Sequence, residues 1–262
     1  MTWWELVLLA LGFAAALQLV LYAVQLRTRS ATAVDAGWAG SLVGIAVLYA
    51  LLGGGEPEHR VLAALLPGLA FGRVAIVVLR RLGGEEDRRY QELRARWRER
   101  GREQRSFFVF YQAQALVAVV LSVPFLATAF NGHGGIEPLE WAGVAVWLAG
   151  ALLEAEADRE LAGFRRDPAS TGQVIDTGLW RYSRHPNYFG QWLTWCGYAL
   201  VALAAPWGWV GLLAPALMLY LILYVTGVPP TEEQTLRSRG EAYRRYQQRT
   251  SVFVPLPPRE AA

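Results

Sequence analysis

The densest group of side chains able to do chemistry stands between positions 181 and 190, in the run RYSRHPNYFG. Its polar members include Arg181, Arg184, His185, Asn187 and Tyr188. Pro186 favours the first turn of a helix and disfavours helical geometry for the residue before it. The polar groups therefore crowd the start of a helix, where free backbone N–H groups and the helix dipole attract anions. Because arginine can bind a phosphate or carboxylate through two parallel hydrogen bonds, the run predicts an anion-binding site.

A second group is acidic and precedes this run, in the sequence EAEADRE at positions 154–160. Glu154 and Asp158 are four residues apart and share one helix face, which Arg165 continues if the helix persists. Acids are unfavourable at a helix C-terminus, and ionisable groups at membrane depth usually face the protein interior or a wet cavity. Two interpretations remain: a functional acidic face, or ion pairs with the neighbouring arginines.

The polar C-terminal stretch forms a third group. Its candidates for binding are Glu233, Arg237, Tyr246 and Arg249. Written as one helix, the stretch is amphipathic, and a helix lying along the membrane surface is an equally good interpretation.

Asp35 is an isolated acid at the start of an apolar stretch. An N-cap aspartate explains it as well as a functional acid does.

The elements that must position these groups are membrane helices. The chain is 54% hydrophobic and 18% charged, whereas soluble domains carry about 25% charged residues. A helix needs about 20 apolar residues to cross a bilayer. Such stretches lie at 3–26, 36–52, 61–82, 106–130, 139–161, 189–205 and 207–228. Because no alternating ten-residue pattern is present, the prediction is an all-α polytopic membrane protein with seven transmembrane helices.

The loops between these stretches predict the orientation. Arginines concentrate at 27–29, 80–105, 159–184 and 237–259, whereas the intervening loops near 54, 135 and 206 contain only Arg60. Excess arginine marks cytoplasmic loops, which places the N-terminus outside and the C-terminus in the cytoplasm. The charged segment 85–105 carries both signs at helical spacing. It is predicted to be a solvated helix with i,i+4 ion pairs, with a lid or partner site as the alternative.

Composition also excludes several functions. A net charge of +3 is too small to indicate nucleic-acid binding, and every basic residue is arginine, which excludes a Schiff-base or P-loop lysine. The single cysteine, Cys196, cannot form an internal disulfide. Three histidines and no Cys/His ligand spacing predict no metal site. No protein partner is predicted.

The runs GLWRYSRHPNYFG (178–190), YRRY (243–246) and TSVFVP (250–255), together with Glu233, resemble the bacterial DUF1295 family. That family is similar to the C-terminal domain of steroid 5-alpha-reductases. The resemblance extends from about position 35 onward and is sharpest over 154–255. The Arg-His-Pro-x-Tyr element is less specific, since isoprenylcysteine carboxyl methyltransferases and sterol reductases share it.

The resemblance implies a cofactor, NADPH, at the cytoplasmic side. By position, Asp158, Arg165 and Asn187 match the family's cofactor contacts. Glu233, Arg237 and Tyr246 fall in the stretch that closes over the nucleotide. The complete cofactor set is Glu154, Asp158, Arg165, Arg181, Arg184, His185, Asn187, Tyr188, Glu233, Arg237, Tyr246 and Arg249.

The resemblance also implies a substrate site. Asp35 stands where the animal enzymes have a glutamate facing the steroid 3-ketone. Their partner tyrosine in the third span is missing here, where Phe71 and Arg73 occur instead. Tyr49 and Tyr111 are two alternatives for that second carbonyl donor.

The implied reaction is NADPH-dependent reduction of a carbon–carbon double bond conjugated to a ketone, in a 3-oxo-Δ4 steroid or similar lipid entering from the membrane. A protonated Asp35 would donate a hydrogen bond to the ketone oxygen. Residues 1–130 would form the substrate spans and 131–262 the cofactor region of a single membrane domain, in the inner membrane of a bacterium. The alternatives are an S-adenosylmethionine-dependent methyltransferase and a non-enzymatic lipid or sterol carrier.

Overall fold

The structure is a computed structural model that describes residues 1–79 and 86–259. It is nearly all helical, and in the described residues the only β pairing is an isolated bridge between Ser183 and Ser251. The α-helices are α1 (Trp3–Thr28), α2 (Ala33–Leu52), α3 (Pro57–Leu79), α4 (Arg88–Glu99), α5 (Glu103–Leu121), α6 (Val123–Ala129), α7 (Pro138–Arg166), α8 (Pro186–Ala202), α9 (Leu213–Tyr220), α10 (Val228–Arg239) and α11 (Glu241–Arg249). The all-α class is therefore confirmed.

Four helical segments of the described chain are long and apolar enough to cross a membrane, which identifies a membrane protein. They are Trp3–Thr28, Ala33–Leu52, Glu103–Ala129 and Gly208–Arg239. The other three predicted spans coincide with helices α3, α7 and α8; residues 80–82 of the third lie outside the described chain. The 17 residues of α8 reach about 25 Å, short of the roughly 30 Å hydrocarbon core. Seven spans and their orientation stay predictions.

The chain folds into two compact units. The first comprises residues 1–137 and 202–213, and the second comprises 138–201 and 214–262. The short segment 202–213 therefore belongs with the N-terminal helices. The predicted division into substrate spans (1–130) and a cofactor region (131–262) had placed it in the cofactor region.

Within the first unit, α1 and α2 pack closely because α2 has glycines at their interface. A Cβ on Gly37 would lie 2.3 Å from a methyl of Leu21, and one on Gly44 would lie 2.4 Å from the ring of Phe13. Small residues let transmembrane helices approach closely, and the van der Waals contact then stabilises the pair.

Two predicted spans are interrupted. Within the span predicted at 106–130, helix α5 ends at Leu121 and helix α6 begins at Val123, with Pro124 in the first turn of α6. The span predicted at 207–228 is a 3₁₀ turn (Gly208–Leu212), then α9, then a π-helical turn (Leu221–Val225). Proline removes a helical hydrogen bond, and π turns shift the helix register, so neither segment is one regular helix.

The polar C-terminal stretch is also not one helix, so its reading as one amphipathic helix is wrong. Gly240 has a φ of 53° and separates α10 from α11. Glycine adopts this left-handed region without the steric cost of a Cβ, so the chain turns there.

Candidate functional site

The first unit brings Asp35 together with two residues of α4. The Tyr90 hydroxyl donates to Asp35 Oδ1 over 2.6 Å, and the Arg89 guanidinium donates to Oδ2 over 3.1 Å. The N-cap of α2 is Thr32, so the N-cap interpretation of Asp35 is wrong. Asp35 instead lies in the first turn of α2, with both carboxylate oxygens bound by side chains.

Helix α4 is held in place by a buried charge network. Arg94 donates to Glu86 over 2.7 and 3.0 Å and to Glu103 over 2.6 Å. Its guanidinium lies 4.6 Å from the ring centroid of Phe107. Glu86 also accepts from the backbone N–H of Ala31 over 2.7 Å, which ties this network to the start of α2 and so positions Tyr90.

The structure corrects the interpretation of the charged segment, of which residue 85 lies outside the described chain. A helix does form, and Arg88 and Glu92 make one i,i+4 pair at 3.4 Å. The helix is not simply solvated, because Tyr90 and Arg94 are buried. The partner of Tyr90, Asp35, is 55 residues away in sequence, and neither hydrophobic periodicity nor local charge spacing reveals such a contact. Tyr90 was therefore missed as a site residue.

The surroundings of Tyr90 keep its hydroxyl protonated. Burial, followed by the nearby Asp35 carboxylate, raises the pKa of Tyr90 above its usual value near 10. A phenol with a raised pKa remains a hydrogen-bond donor throughout the physiological range. Asp35 keeps a third of its side chain exposed, so its carboxylate remains accessible while Tyr90 is buried.

The two tyrosines considered as partners of Asp35 lie elsewhere in α2 and α5. Tyr49 is at the far end of α2, about 20 Å along the helix axis from Asp35, and bonds to Ser122 over 3.2 Å. Tyr111 is fully buried in a cluster that also contains Tyr90, and its hydroxyl has no hydrogen-bond partner among the described residues. The structure thus brings Tyr90, not Tyr49 or Tyr111, to the Asp35 carboxylate.

In the second unit, the predicted anion site is occupied by a carboxylate of the same chain. Arg184 Nε donates to Glu232 Oε1 over 2.6 Å, and His185 Nε2 lies 3.3 Å from the same oxygen. Tyr243 and Gln247 donate to Glu232 over 3.3 and 3.0 Å. Sequence reasoning chose Glu233, whereas the neighbouring Glu232 is the residue at the centre of this cluster.

The C-terminal stretch is fastened to the run before α8. Arg184 Nη1 donates to the carbonyls of Gln247 and Thr250 over 3.0 and 2.7 Å, and the Tyr246 hydroxyl donates to Trp180 O over 2.5 Å. Burial and the adjacent Tyr243 raise the pKa of Tyr246. Arg184 and Tyr246 therefore hold the chain's own backbone, and two of the three guanidinium nitrogens of Arg184 are used within the protein.

The acidic run separates into distinct local roles. Asp158 accepts from Asn187 over 3.0 Å, which joins two predicted cofactor residues. Glu160 accepts from Leu179 N–H over 2.9 Å, and its carboxylate lies against Gly178, whose φ is 56°. Glu156 pairs with Arg159, as the ion-pair interpretation predicted.

The remaining predicted cofactor residues have the following places. Helix α7 runs to Arg166, so Arg165 does continue the face of Asp158, and Arg165 and Arg181 are exposed. Tyr188 bonds to Thr231 over 3.2 Å. Glu154 is half-buried, and Glu233 pairs with Arg237 while Arg249 pairs with Asp176.

This donor set suits a phosphorylated nucleotide. Arg165 and Arg181 present exposed guanidinium groups, which bind phosphate through parallel hydrogen bonds. Asn187 and Asp158 offer an amide and a carboxylate, groups that can bind ribose hydroxyls or a base edge.

The family comparison agrees with the resemblance noted in the sequence. The family model described as a protein of unknown function, DUF1295, matches residues 21–250. This covers both Asp35 and the Arg184–Glu232 cluster.

Curated relatives carry names that include an activity. The chain is 34% identical over 86 residues to 3-oxo-5-alpha-steroid 4-dehydrogenase 1 of Macaca fascicularis, a match covering 30% of this chain and 32% of the relative. It is 33% identical to the protein of that name from Homo sapiens over 30% of this chain and 33% of the relative. It is 26% identical to steroid 5-alpha-reductase DET2 of Gossypium hirsutum over 35% and 41%, respectively. The matched segments thus span between about a third and two fifths of each relative. No solved structure matches the chain significantly.

Proposed function

We propose that this chain, which belongs to the DUF1295 family, is a membrane oxidoreductase. Its similarity to steroid 5-alpha-reductases supports a reductive chemistry. Its substrate is an apolar lipid with a carbon–carbon double bond conjugated to a ketone, such as a 3-oxo-Δ4 steroid. NADPH, when bound, supplies the hydride that adds to the β-carbon of the enone. The chain's own residues hold that cofactor and polarise the ketone.

The observation that carries this proposal is the hydrogen bond between Tyr90 and Asp35. During the reduction, negative charge develops on the ketone oxygen, and fixed hydrogen-bond donors at that oxygen stabilise the transition state. The Tyr90 hydroxyl has a single proton, which it donates to Asp35 in the free protein, so that Asp35 holds the phenol in position. When the ketone binds, the phenol donates this proton to the ketone oxygen instead, and Arg89 keeps the carboxylate in place.

The second unit supplies the groups that would hold the cofactor. Arg165 and Arg181 bind its phosphates, and Asn187 with Asp158 binds its ribose or nicotinamide end. The Arg184–Glu232 cluster keeps the C-terminal stretch folded over the run 178–190.

The experiment uses the full-length protein in detergent or lipid nanodiscs, with NADPH and a 3-oxo-Δ4 steroid. We expect NADPH consumption that depends on the steroid, and formation of the ring-saturated ketone detected by mass spectrometry. Asp35→Asn should lower the rate strongly while leaving the NADPH-induced rise in melting temperature unchanged.

A ligand comparison separates this function from the alternatives. Because a ligand that binds the native state raises its melting temperature, NADPH should stabilise the protein and S-adenosylmethionine should not. Stabilisation by S-adenosylmethionine alone would indicate a methyltransferase. Absence of any shift with either compound, together with steroid binding, would indicate a carrier.

A further inference from the structure

Two glutamines lie on the inner face of α1, a helix whose outer face is apolar. Gln18 and Gln25 are each 0% exposed. They continue the buried stripe of Ala10 and Ala14, whereas Leu19 and other large apolar side chains of the helix are exposed. The two glutamines are separated by two helical turns, or about 10 Å along the axis.

Neither side-chain amide has a hydrogen-bond partner in the described part of the chain. This holds for both the oxygen and the nitrogen of Gln18 and of Gln25. A buried polar group without a partner destabilises the folded state, and such groups are rare in native proteins. An apolar residue would be the more stable choice at both positions, so the described part of the helix bundle gives no reason for these amides.

The surroundings place Gln18 beside the first turns of α2, the helix that also carries Asp35. A Cβ on Gly37 would lie 3.1 Å from both terminal atoms of Gln18, and Gly37 follows Asp35 by two residues in the same helix. Tyr111 adds a third buried polar group, since its hydroxyl has no partner among the described residues. Its ring contacts the ring of Tyr22 of α1, with centroids 5.9 Å apart.

The chemistry of these groups defines the ligand. A primary amide and a phenol both donate and accept hydrogen bonds and carry no charge, so they suit neutral carbonyl and hydroxyl oxygens. The spacing of the two glutamines suits an elongated ligand with an oxygen toward each end. Around Gln18, the side chains of Leu17, Leu21 and Phe13 of α1 face glycines of α2, and such apolar contacts can separate without breaking a hydrogen bond.

We propose that Gln18 and Gln25 bind the oxygen functions of an elongated, doubly oxygenated apolar substrate that inserts between α1 and α2 from the lipid. This inference rests on the proposed function, since the ligand is the substrate of that reaction. Gln18, Gln25 and the Tyr111 hydroxyl then determine which apolar enones are accepted.

The test replaces each glutamine by methionine, which has a similar length and no strong hydrogen-bonding group. Binding of two probes to the full-length protein is measured without NADPH. One probe is a 3-oxo-Δ4 steroid with a second oxygen at the far end of the ring system, and the other is the same steroid without that oxygen. The matched control is Gln112→Met, a half-buried glutamine of α5 beside the exposed residues Phe108 and Leu116.

We expect Gln18→Met and Gln25→Met to melt, without ligand, at the wild-type temperature or above it, because an unpaired buried amide is removed. Each should weaken binding of the doubly oxygenated steroid about tenfold, the effect of losing roughly one hydrogen bond. One of the two variants should also bind the steroids with and without the second oxygen about equally, whereas the wild type binds the doubly oxygenated steroid more tightly. Gln112→Met should change neither quantity.

A lower melting temperature with unchanged steroid affinity would overturn the inference, because the amides would then be structural. So would a wild-type protein that binds neither probe. If the wild type binds the steroid in a glutamine-dependent way but consumes no NADPH, the proposed reaction fails and the binding site stands. Should one of the two single variants not fold, the other carries the test.

Discussion

Asp35 and Glu232 are both carboxylates bound by an arginine and a tyrosine, yet their surroundings differ. Arg184 and Glu232 keep only 11% and 18% of their side chains exposed, whereas Arg89 and Asp35 keep 59% and 33%. Glu232 is contacted by four polar side chains of its own unit, two of them on α11. Similar residue types thus form a closed cluster in one unit and a more accessible pair in the other, and this difference in accessibility is why we propose a catalytic role for Asp35 and a structural role for Glu232.

The largest effect expected from this comparison is on stability. Glu232→Ala would leave the buried Arg184 without its carboxylate partner, and removing one member of a buried ion pair costs about 3 kcal/mol or more. The free energy of unfolding should fall by about that amount, measured by thermal unfolding of the purified protein.

Glu233→Ala is the matched control for Glu232→Ala. Glu233 pairs with Arg237, and both side chains are largely exposed, at 64% and 70%. An exposed pair contributes less than about 1 kcal/mol, so this variant should melt close to the wild type. Equal losses in the two variants would contradict the view that Glu232 is the structural residue.

A smaller effect on stability, but a clear one on rate, is expected at Tyr90. Tyr90→Phe removes the hydroxyl that donates to Asp35. The rate of enone reduction should fall about 100-fold, the lower range for loss of a proton donor in the transition state. Stability should fall by only about 1 kcal/mol, the typical net value of one hydrogen bond.

Tyr22→Phe is the control for Tyr90→Phe. The Tyr22 hydroxyl donates to the backbone carbonyl of Gln104 over 3.2 Å, so its loss should affect stability and leave the rate nearly unchanged. Wild-type turnover by Tyr90→Phe would show that the pair with Asp35 is structural, like the Glu232 cluster.

The smallest expected effect is a pH dependence of the contribution that Tyr90 makes to the stability of the folded protein. Tyr90 has a pKa raised by burial and by Asp35 in the folded state, while an unfolded tyrosine has a pKa of about 10. Below pH 10 both states are protonated, so the stabilisation by this group is constant. Above pH 10 the unfolded phenol loses its proton first, which favours unfolding.

The difference in melting temperature between the wild type and Tyr90→Phe should therefore be constant from neutral pH to about pH 9, and should shrink as the pH rises past 10. Melting curves at fixed ionic strength measure it. A difference that grows above pH 10 would mean that the folded-state pKa of Tyr90 is not raised.

Much of the local structure follows from short-range sequence features. Runs of apolar residues correctly predicted the four helical segments that are long enough to cross a membrane, because the length of an apolar run depends only on neighbouring residues. Pro186 correctly predicted the start of α8. The pairing of Asn187 with Asp158 joins two residues chosen from the same resemblance.

Breaks inside helices were harder to predict. Gly240 lies in a polar run that fits a continuous helix equally well, yet it has a positive φ and ends α10. The π turn at Leu221–Val225 occurs in a wholly apolar stretch. Hydrophobicity specifies burial in lipid, and it contains little information on the register of the backbone.

The sequence by itself determined that this is an apolar, helical chain with a polar run of arginine, histidine and asparagine ahead of α8. Only the tertiary structure decided which residues meet. It brought Tyr90 to Asp35 across 55 residues, chose Glu232 over its neighbour as the partner of Arg184, and left Gln18 and Gln25 buried without partners among the described residues. Composition and periodicity act over a few residues, whereas pairing depends on which helix faces pack together, and that is settled by the whole bundle.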